Sequence, residues 1–158
     1  MVVRMTTTLV LPSLVLALLA PVPRIEDHRV TELGRVLVGE AGWHSTTDHA
    51  AILHAMGRRA DRTGEPVETM AARYSSAVKR CKRSWVCELP ALPSERYREP
   101  WEAVRETARA YLRGKLPDPC PGSVHYGDRS GDMVRAKRMG LRRARCSAVT
   151  RNLFWRQR

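Results

Sequence analysis

The chain lacks several of the patterns by which a sequence declares its chemistry. It has no glycine-rich phosphate loop and no serine-centred nucleophile elbow, which removes the common nucleotide-binding and α/β-hydrolase readings. His49 and His54 are five residues apart instead of four, so they do not share a helix face as metalloprotease ligands do. The four cysteines include no CxxC pair, and neither short gap suits zinc, so no metal or other cofactor is expected. No internal repeat or low-complexity stretch is present. Aromatics amount to 6% with a single Phe, and acids are few, 16 against 28 Lys and Arg. A length of 158 residues leaves room for one domain. Together these features exclude a multidomain enzyme, a coiled coil, a collagen-like fibre and a polytopic membrane protein.

What is present is a basic chain with enough apolar residues for a core. Hydrophobic residues make up 43% and charged residues 28%, the formal net charge is +12, and the pI is near 10.6. Only four of the 28 cations are Lys, a bias that codon usage alone can produce. The excess charge suits a polyanionic neighbour: nucleic acid, an anionic membrane or a cell-wall polymer. The Arg residues are spread over every expected helix, and no zinc finger, homeodomain or RNA-recognition signature occurs. Nucleic acid is therefore not the expected partner.

The N-terminus reads as an export signal over residues 1–23. Arg4 supplies the positive region, and the run from Leu9 to Ala20 has the length of a signal-peptide core, shorter than the roughly 20 residues of a spanning helix. An uncleaved anchor is the alternative, because the uncharged stretch extends from Met5 to Pro23. Pro12, Pro21 and Pro23 oppose a straight helix through it. The expected address is periplasmic, wall-associated or extracellular, with membrane contact only through this segment. Cys81, Cys87, Cys120 and Cys146 form an even set, as exported chains favour. Of the three possible connectivities, Cys81 with Cys87 closes a short loop and Cys120 with Cys146 clips the C-terminal third.

Residues 24–158 predict a mainly α domain with a loop-rich, disulfide-pinned C-terminal cap. A first helix is expected from about Glu26 to Gly39, with Val30, Leu33, Val36 and Leu37 near one face. A second follows the capping cluster Ser45-Thr46-Thr47-Asp48 and ends near Gly64, Asp48 serving as a cap. A third starts at Pro66 and buries Val67, Met70 and Tyr74. A fourth starts near Pro100 and carries Trp101, Val104, Ala108, Tyr111 and Leu112 on one stripe to Gly114. Lys79 to Glu99 reads as a long ordered loop. Prolines and glycines after Leu116 make another, with a short helix over Met133–Met139. Short strands or extended tail are expected at Leu141–Cys146 and Leu153–Trp155.

Glu40 is the leading candidate for chemistry. It ends an apolar helix in Val36-Leu-Val-Gly-Glu-Ala-Gly-Trp43, beside an aromatic. Two readings stand: a solvated carboxylate past a helix end, or a desolvated acid that keeps its proton near neutral pH. The second is what glycosidic cleavage requires, because the leaving oxygen is protonated as the bond breaks.

Val38-Gly-Glu-Ala-Gly42, followed by the helix Asp48-His-Ala-Ala-Ile-Leu-His-Ala-Met-Gly-Arg-Arg59, resembles the core of the SleB-type cell-wall hydrolases, related in fold to lysozyme and the lytic transglycosylases. Met70-Ala-Ala-Arg-Tyr-Ser-Ser76, Asp118-Pro-Cys-Pro-Gly122, His125-Tyr-Gly127 and Asn152-Leu-Phe-Trp155 extend the likeness over roughly Leu33 to Trp155. The resemblance implies a lysozyme-like helical domain that cleaves peptidoglycan glycan strands, with Glu40 as the single catalytic acid. Tyr74 and Ser75, with Ser76, would contact an N-acetyl group or the developing positive charge.

The remaining candidates come from the residues themselves. His125 and Tyr126 lie in the C-terminal loop, where exposed polar aromatics serve binding. Trp43 and Trp155 could stack on sugar faces, while Asn152 comes in only through the resemblance, as part of one of two C-terminal elements, with His125-Tyr126 the other, that could close the family's cleft. No second acid flanks Glu40 in an apolar setting, although Asp128 and Asp132 could fold over it. One carboxylate suits a transglycosylase, which returns the proton by way of the sugar's own C6 hydroxyl and yields a 1,6-anhydro end. The expected partners are glycan strands and anionic wall polymers, bound by a monomer. The alternative is a non-catalytic basic module for wall polymer or nucleic acid.

Overall fold

A computed structural model describes residues 25–79, 81, 85–89, 94–127, 131–148 and 151–158. Residues 1–23, expected to direct export, and Asp128 lie outside the described residues. The elements are α1 (Ile25–Ala41), α2 (Thr46–Thr63), α3 (Val67–Tyr74), α4 (Ser76–Lys79), a 3-10 turn (Trp85–Glu88), α5 (Glu95–Leu112), β1 (Ser123–Gly127), α6 (Gly131–Arg138), β2 (Arg142–Arg143) and β3 (Leu153–Arg156). The fold is mainly helical, with a small three-stranded sheet and two disulfides. Among the described residues no helix is long and apolar enough to cross a membrane.

The core is built around α2. Its Ala51, Ile52, Ala55, Met56 and Ala60 are buried, and the small alanines let α1, α3, α5 and β1 approach it. From α1, Val30, Leu33, Val36 and Leu37 repeat at helical spacing and are fully or almost fully buried. Gly34 lets the Trp101 ring of α5 lie 2.8 Å from where a Cβ would stand. The first turn of α1 carries Glu26 and Asp27, which complement the helix dipole.

Gly39 does not stop the first helix as expected. The chain continues helically to Ala41, and Gly39 is the point where α1 touches α4, a Cβ there lying 2.3 Å from that of Ala77. The stop is Gly42, at φ 76°, whose N–H bonds the Val38 carbonyl at 2.8 Å. Glu40 therefore sits within the last helical turn, with a fixed backbone.

The fourth expected helix starts earlier than Pro100. Ser94 precedes it, and α5 runs from Glu95 with Pro100 inside. The ring costs one hydrogen bond near the N-terminus, which the helix absorbs. The loop expected over Lys79–Glu99 is thus helical at both ends, with a 3-10 turn between.

The C-terminal region is more ordered than its prolines and glycines suggest. Ser123–Gly127 is a strand, not a loop, and the sheet order is β1-β3-β2, antiparallel throughout. His125 pairs with Trp155, Tyr126 with Phe154 and Gly127 with Leu153. The disulfides are Cys81–Cys87 and Cys120–Cys146, with Cα–Cα separations of 5.4 and 4.1 Å. Such bonds suit an oxidising compartment.

Two polar staples fasten this region to α2. Arg58 donates to the Ser123 carbonyl at 2.5 Å, the Ser123 hydroxyl at 2.8 Å and Asp118 at 2.5 Å. Asp48, 1% exposed, accepts the backbone N–H groups of Arg151 at 3.0 Å and Asn152 at 2.9 Å, and the Ser45 hydroxyl. Asp48 is thus a tertiary clamp in the first turn of α2, not its cap; that position is Ser45. The buried carboxylate is satisfied by donors from the far end of the chain.

Candidate active site

The last turn of α1, the outer face of α2, the α3–α4 junction, β1 and the start of α6 enclose a cleft of about 200 Å³. Glu40, Met56, Arg59, Tyr74, Ser76, His125, Tyr126, Gly127, Asp132 and Arg135 line it. Two residue groups named from sequence alone, Glu40 with Tyr74–Ser76 and His125 with Tyr126, meet here from opposite sides.

Glu40 is half-buried, and its orientation is set by Ser75. The Ser75 side chain is fully buried at the break between α3 and α4, where its Oγ accepts the Val78 N–H at 3.3 Å and donates to Glu40 Oε1 at 2.6 Å. Glu40 Oε2 has no partner among the described residues, which leaves one oxygen for exchange with a ligand. Ser75 thus supports the acid instead of standing free in the cleft.

Opposite lie the two β1 aromatics, buried where an exposed loop was expected. Burial pushes the Tyr126 phenol well above its ordinary value of 10.0; the nearby Glu40 charge adds to the rise and Arg59 opposes it. The phenol therefore keeps its proton at physiological pH. His125 is 7% exposed and neither ring nitrogen has a hydrogen-bond partner, Asp132 Oδ1 lying 3.8 Å from Nε2. Burial, then Arg59, lowers its pKa below 6.5, Asp132 raises it and Arg135 lowers it further. The imidazole is neutral at pH 7.

Tyr74 does not join the core as its helical register predicts. It is 44% exposed, and the Arg59 guanidinium lies 3.9 Å from its ring centroid. Residues that sequence reasoning missed are Arg59, Arg135 and Met56. The Gly57-Arg58-Arg59 run does carry a signal, since consecutive helical residues point about 100° apart and cannot share one job. Asp132, named only as a possible visitor, does line the cleft: α6 packs on β1, and its carboxylate fills the space beside Gly127.

Other candidates lie elsewhere. Trp43 belongs to a separate groove with Trp85, Ser94 and Tyr97; it stacks on Tyr97 at 4.8 Å and Trp85 at 5.5 Å, with Trp101 edge-on. Trp155 is 4% exposed and packs beside His125, so it belongs to the sheet interior and offers no face to a sugar. Asn152 immediately precedes β3, its N–H held by the Asp48 clamp, and does not line the cleft. Among the described residues no group of three potential ligands could hold a metal ion. No family model, curated protein or solved structure matches the chain.

Proposed function

We propose that this protein cleaves the glycan strands of peptidoglycan, with Glu40 as the general acid. The observation that carries the reading is the Glu40 carboxylate at the cleft wall, steadied by the fully buried Ser75 hydroxyl at 2.6 Å and faced by a protonated phenol and a neutral imidazole. Glu40 delivers a proton to the bridging oxygen between two sugars as the bond lengthens. Ser75 fixes which oxygen performs the transfer. Tyr126, still a phenol, offers a hydrogen bond to the sugar, and the buried, neutral His125 ring backs it from the same strand.

In the transglycosylase version the Glu40 carboxylate then takes the proton of the C6 hydroxyl, which closes on the anomeric carbon as a 1,6-anhydro ring. In the hydrolase version Asp132, on the same cleft, supplies the second carboxylate. The chain then acts outside the cytoplasm, in keeping with its disulfides and the apolar run at its start, on a lysozyme-like fold. Purified peptidoglycan digested with the protein and read by mass spectrometry tests all of this. Wild type is expected to release muropeptides, with anhydro ends for transglycosylation and reducing ends for hydrolysis, and Glu40→Gln to release none. Equal release by both would remove Glu40 from its role.

A second reading, a basic module that binds polyanionic wall polymer without cutting it, has one specific support. From Gly131 to the C-terminus every charged residue except Asp132 is Lys or Arg, whereas several Arg residues of the helical body pair with acids, as in Arg29–Glu68 and Arg35–Glu32. This reading expects salt-sensitive wall binding with no fragments released. Tight, saturable DNA binding of defined site size would instead favour a nucleic-acid partner.

A further inference from the structure

We propose that the cleft selects glycans bearing a free carboxylate, taken up by the Arg59 and Arg135 guanidiniums; this rests on the glycan-cleaving reading of the same site. The two neighbouring arginines of α2 have different fates. Arg58 is spent on Asp118 and Ser123 at 2.5–2.8 Å and holds the sheet to the helix. Arg59 has no carboxylate partner among the described residues and sits over the Tyr74 ring, its guanidinium carbon 3.9 Å from the ring centroid, lining the cleft. A guanidinium covered on one face by a ring keeps its in-plane N–H groups available, and that planar fork matches a carboxylate.

Arg135 reaches the same cleft from α6 and also lacks an acidic partner among the described residues. The His125 side chain beside them is more than nine-tenths buried, with both ring nitrogens shielded from solvent, and its lowered pKa keeps it neutral, so it adds no charge of its own to the two guanidiniums. The fields of Arg59 and Arg135 both bear on His125, so the two cations and the imidazole serve one small volume.

In peptidoglycan a carboxylate has two sources. One is the lactyl ether of a muramyl residue stripped of its peptide; the other is the stem peptide. A neutral N-acetylglucosamine oligomer has neither. The test uses full-length Glu40→Gln protein, which binds without turnover, titrated with four probes. These are chitotetraose, a peptide-free N-acetylglucosaminyl–N-acetylmuramyl tetrasaccharide, the same tetrasaccharide with its lactyl carboxyls reduced to alcohols, and the peptide-bearing tetrasaccharide.

The expected result is at least tenfold tighter binding of a carboxylate-bearing probe than of the reduced glycan or chitotetraose, with the margin shrinking as salt rises. Preference for the peptide-free glycan assigns the lactyl carboxylate, and preference for the peptide-bearing one assigns the stem. Adding Arg59→Met and Arg135→Met should bring the affinity for the carboxylate-bearing probe down to that for the reduced glycan in the same variant, and Arg59→Lys should keep part of the margin. Equal affinity for the charged and reduced glycans would overturn the carboxylate site and leave the glycan reading standing. Failure of every glycan to bind would overturn both.

Discussion

Replacing Asp48 by alanine tests the device that holds the sheet, and so one wall of the cleft, onto α2. The wild-type carboxylate is 1% exposed and receives three donors: the Ser45 hydroxyl and the N–H groups of Arg151 and Asn152. A hydrogen bond to a charged group contributes about 1.5–3 kcal/mol, less where water can replace the lost partner. Arg151 is exposed, so its N–H recovers most of its loss from water, whereas Asn152 and Ser45 are half-buried. The sum is about 3–4 kcal/mol, a large fraction of the roughly 5–15 kcal/mol that stabilises a typical domain. Asp48→Asn keeps one acceptor oxygen but turns an N–H₂ toward a donor, and should cost about half as much. Urea unfolding followed by tryptophan fluorescence gives the totals, and hydrogen exchange at Phe154 and Trp155 locates them. The sheet amides should lose protection before those of α2. A loss below about 1 kcal/mol, or uniform loss of protection, would show that the carboxylate does not anchor β3.

Three further outcomes follow from the packing and the titrations. Gly39→Ala places a methyl 2.3 Å from the Ala77 Cβ, so it should destabilise by about 1–3 kcal/mol, and Ala77→Gly in the same chain should restore part of that in thermal melts. Burial lowers the pKa values of His49 and His125, so the unfolded chain takes up protons that the fold refuses. The stability that comes from keeping them neutral is present in full above pH 6.5 and is lost as the pH falls through the depressed folded values. The slope is at most about 1.4 kcal/mol per pH unit for each group. Urea midpoints between pH 7.5 and 5.5 should fall with acid and flatten in His49→Gln, and a midpoint that rises on acidification would contradict the sign. Opening Cys120–Cys146, with a sequence separation of 26, should cost about 3.5 kcal/mol against about 2 for Cys81–Cys87 with a separation of six, if chain entropy dominates. Denaturant titration of the two double-serine variants ranks them.

Local pattern alone placed the main helices α1, α2, α3 and most of α5, because their signals lie within a few residues of one another. The apolar spacing of Val30, Leu33, Val36 and Leu37 places α1, Gly64 at φ 70° ends α2, and Pro66 opens α3. The GEA context brought Glu40 forward in the same way. Partnership between distant segments was decided only in three dimensions. No local rule links Ser75 to Glu40 across 35 residues, Asn152 to Asp48 across 104, or Tyr126 to Phe154 across the sheet. The strand at Ser123–Gly127 was hidden for the same reason: the glycines and prolines around it read as loop, and only pairing with β3 makes it a strand. A short strand owes its existence to hydrogen bonds with a distant segment, whereas a helix closes its own bonds within four residues, so the sequence spells the helices and the tertiary structure supplies the sheet and the cleft it walls.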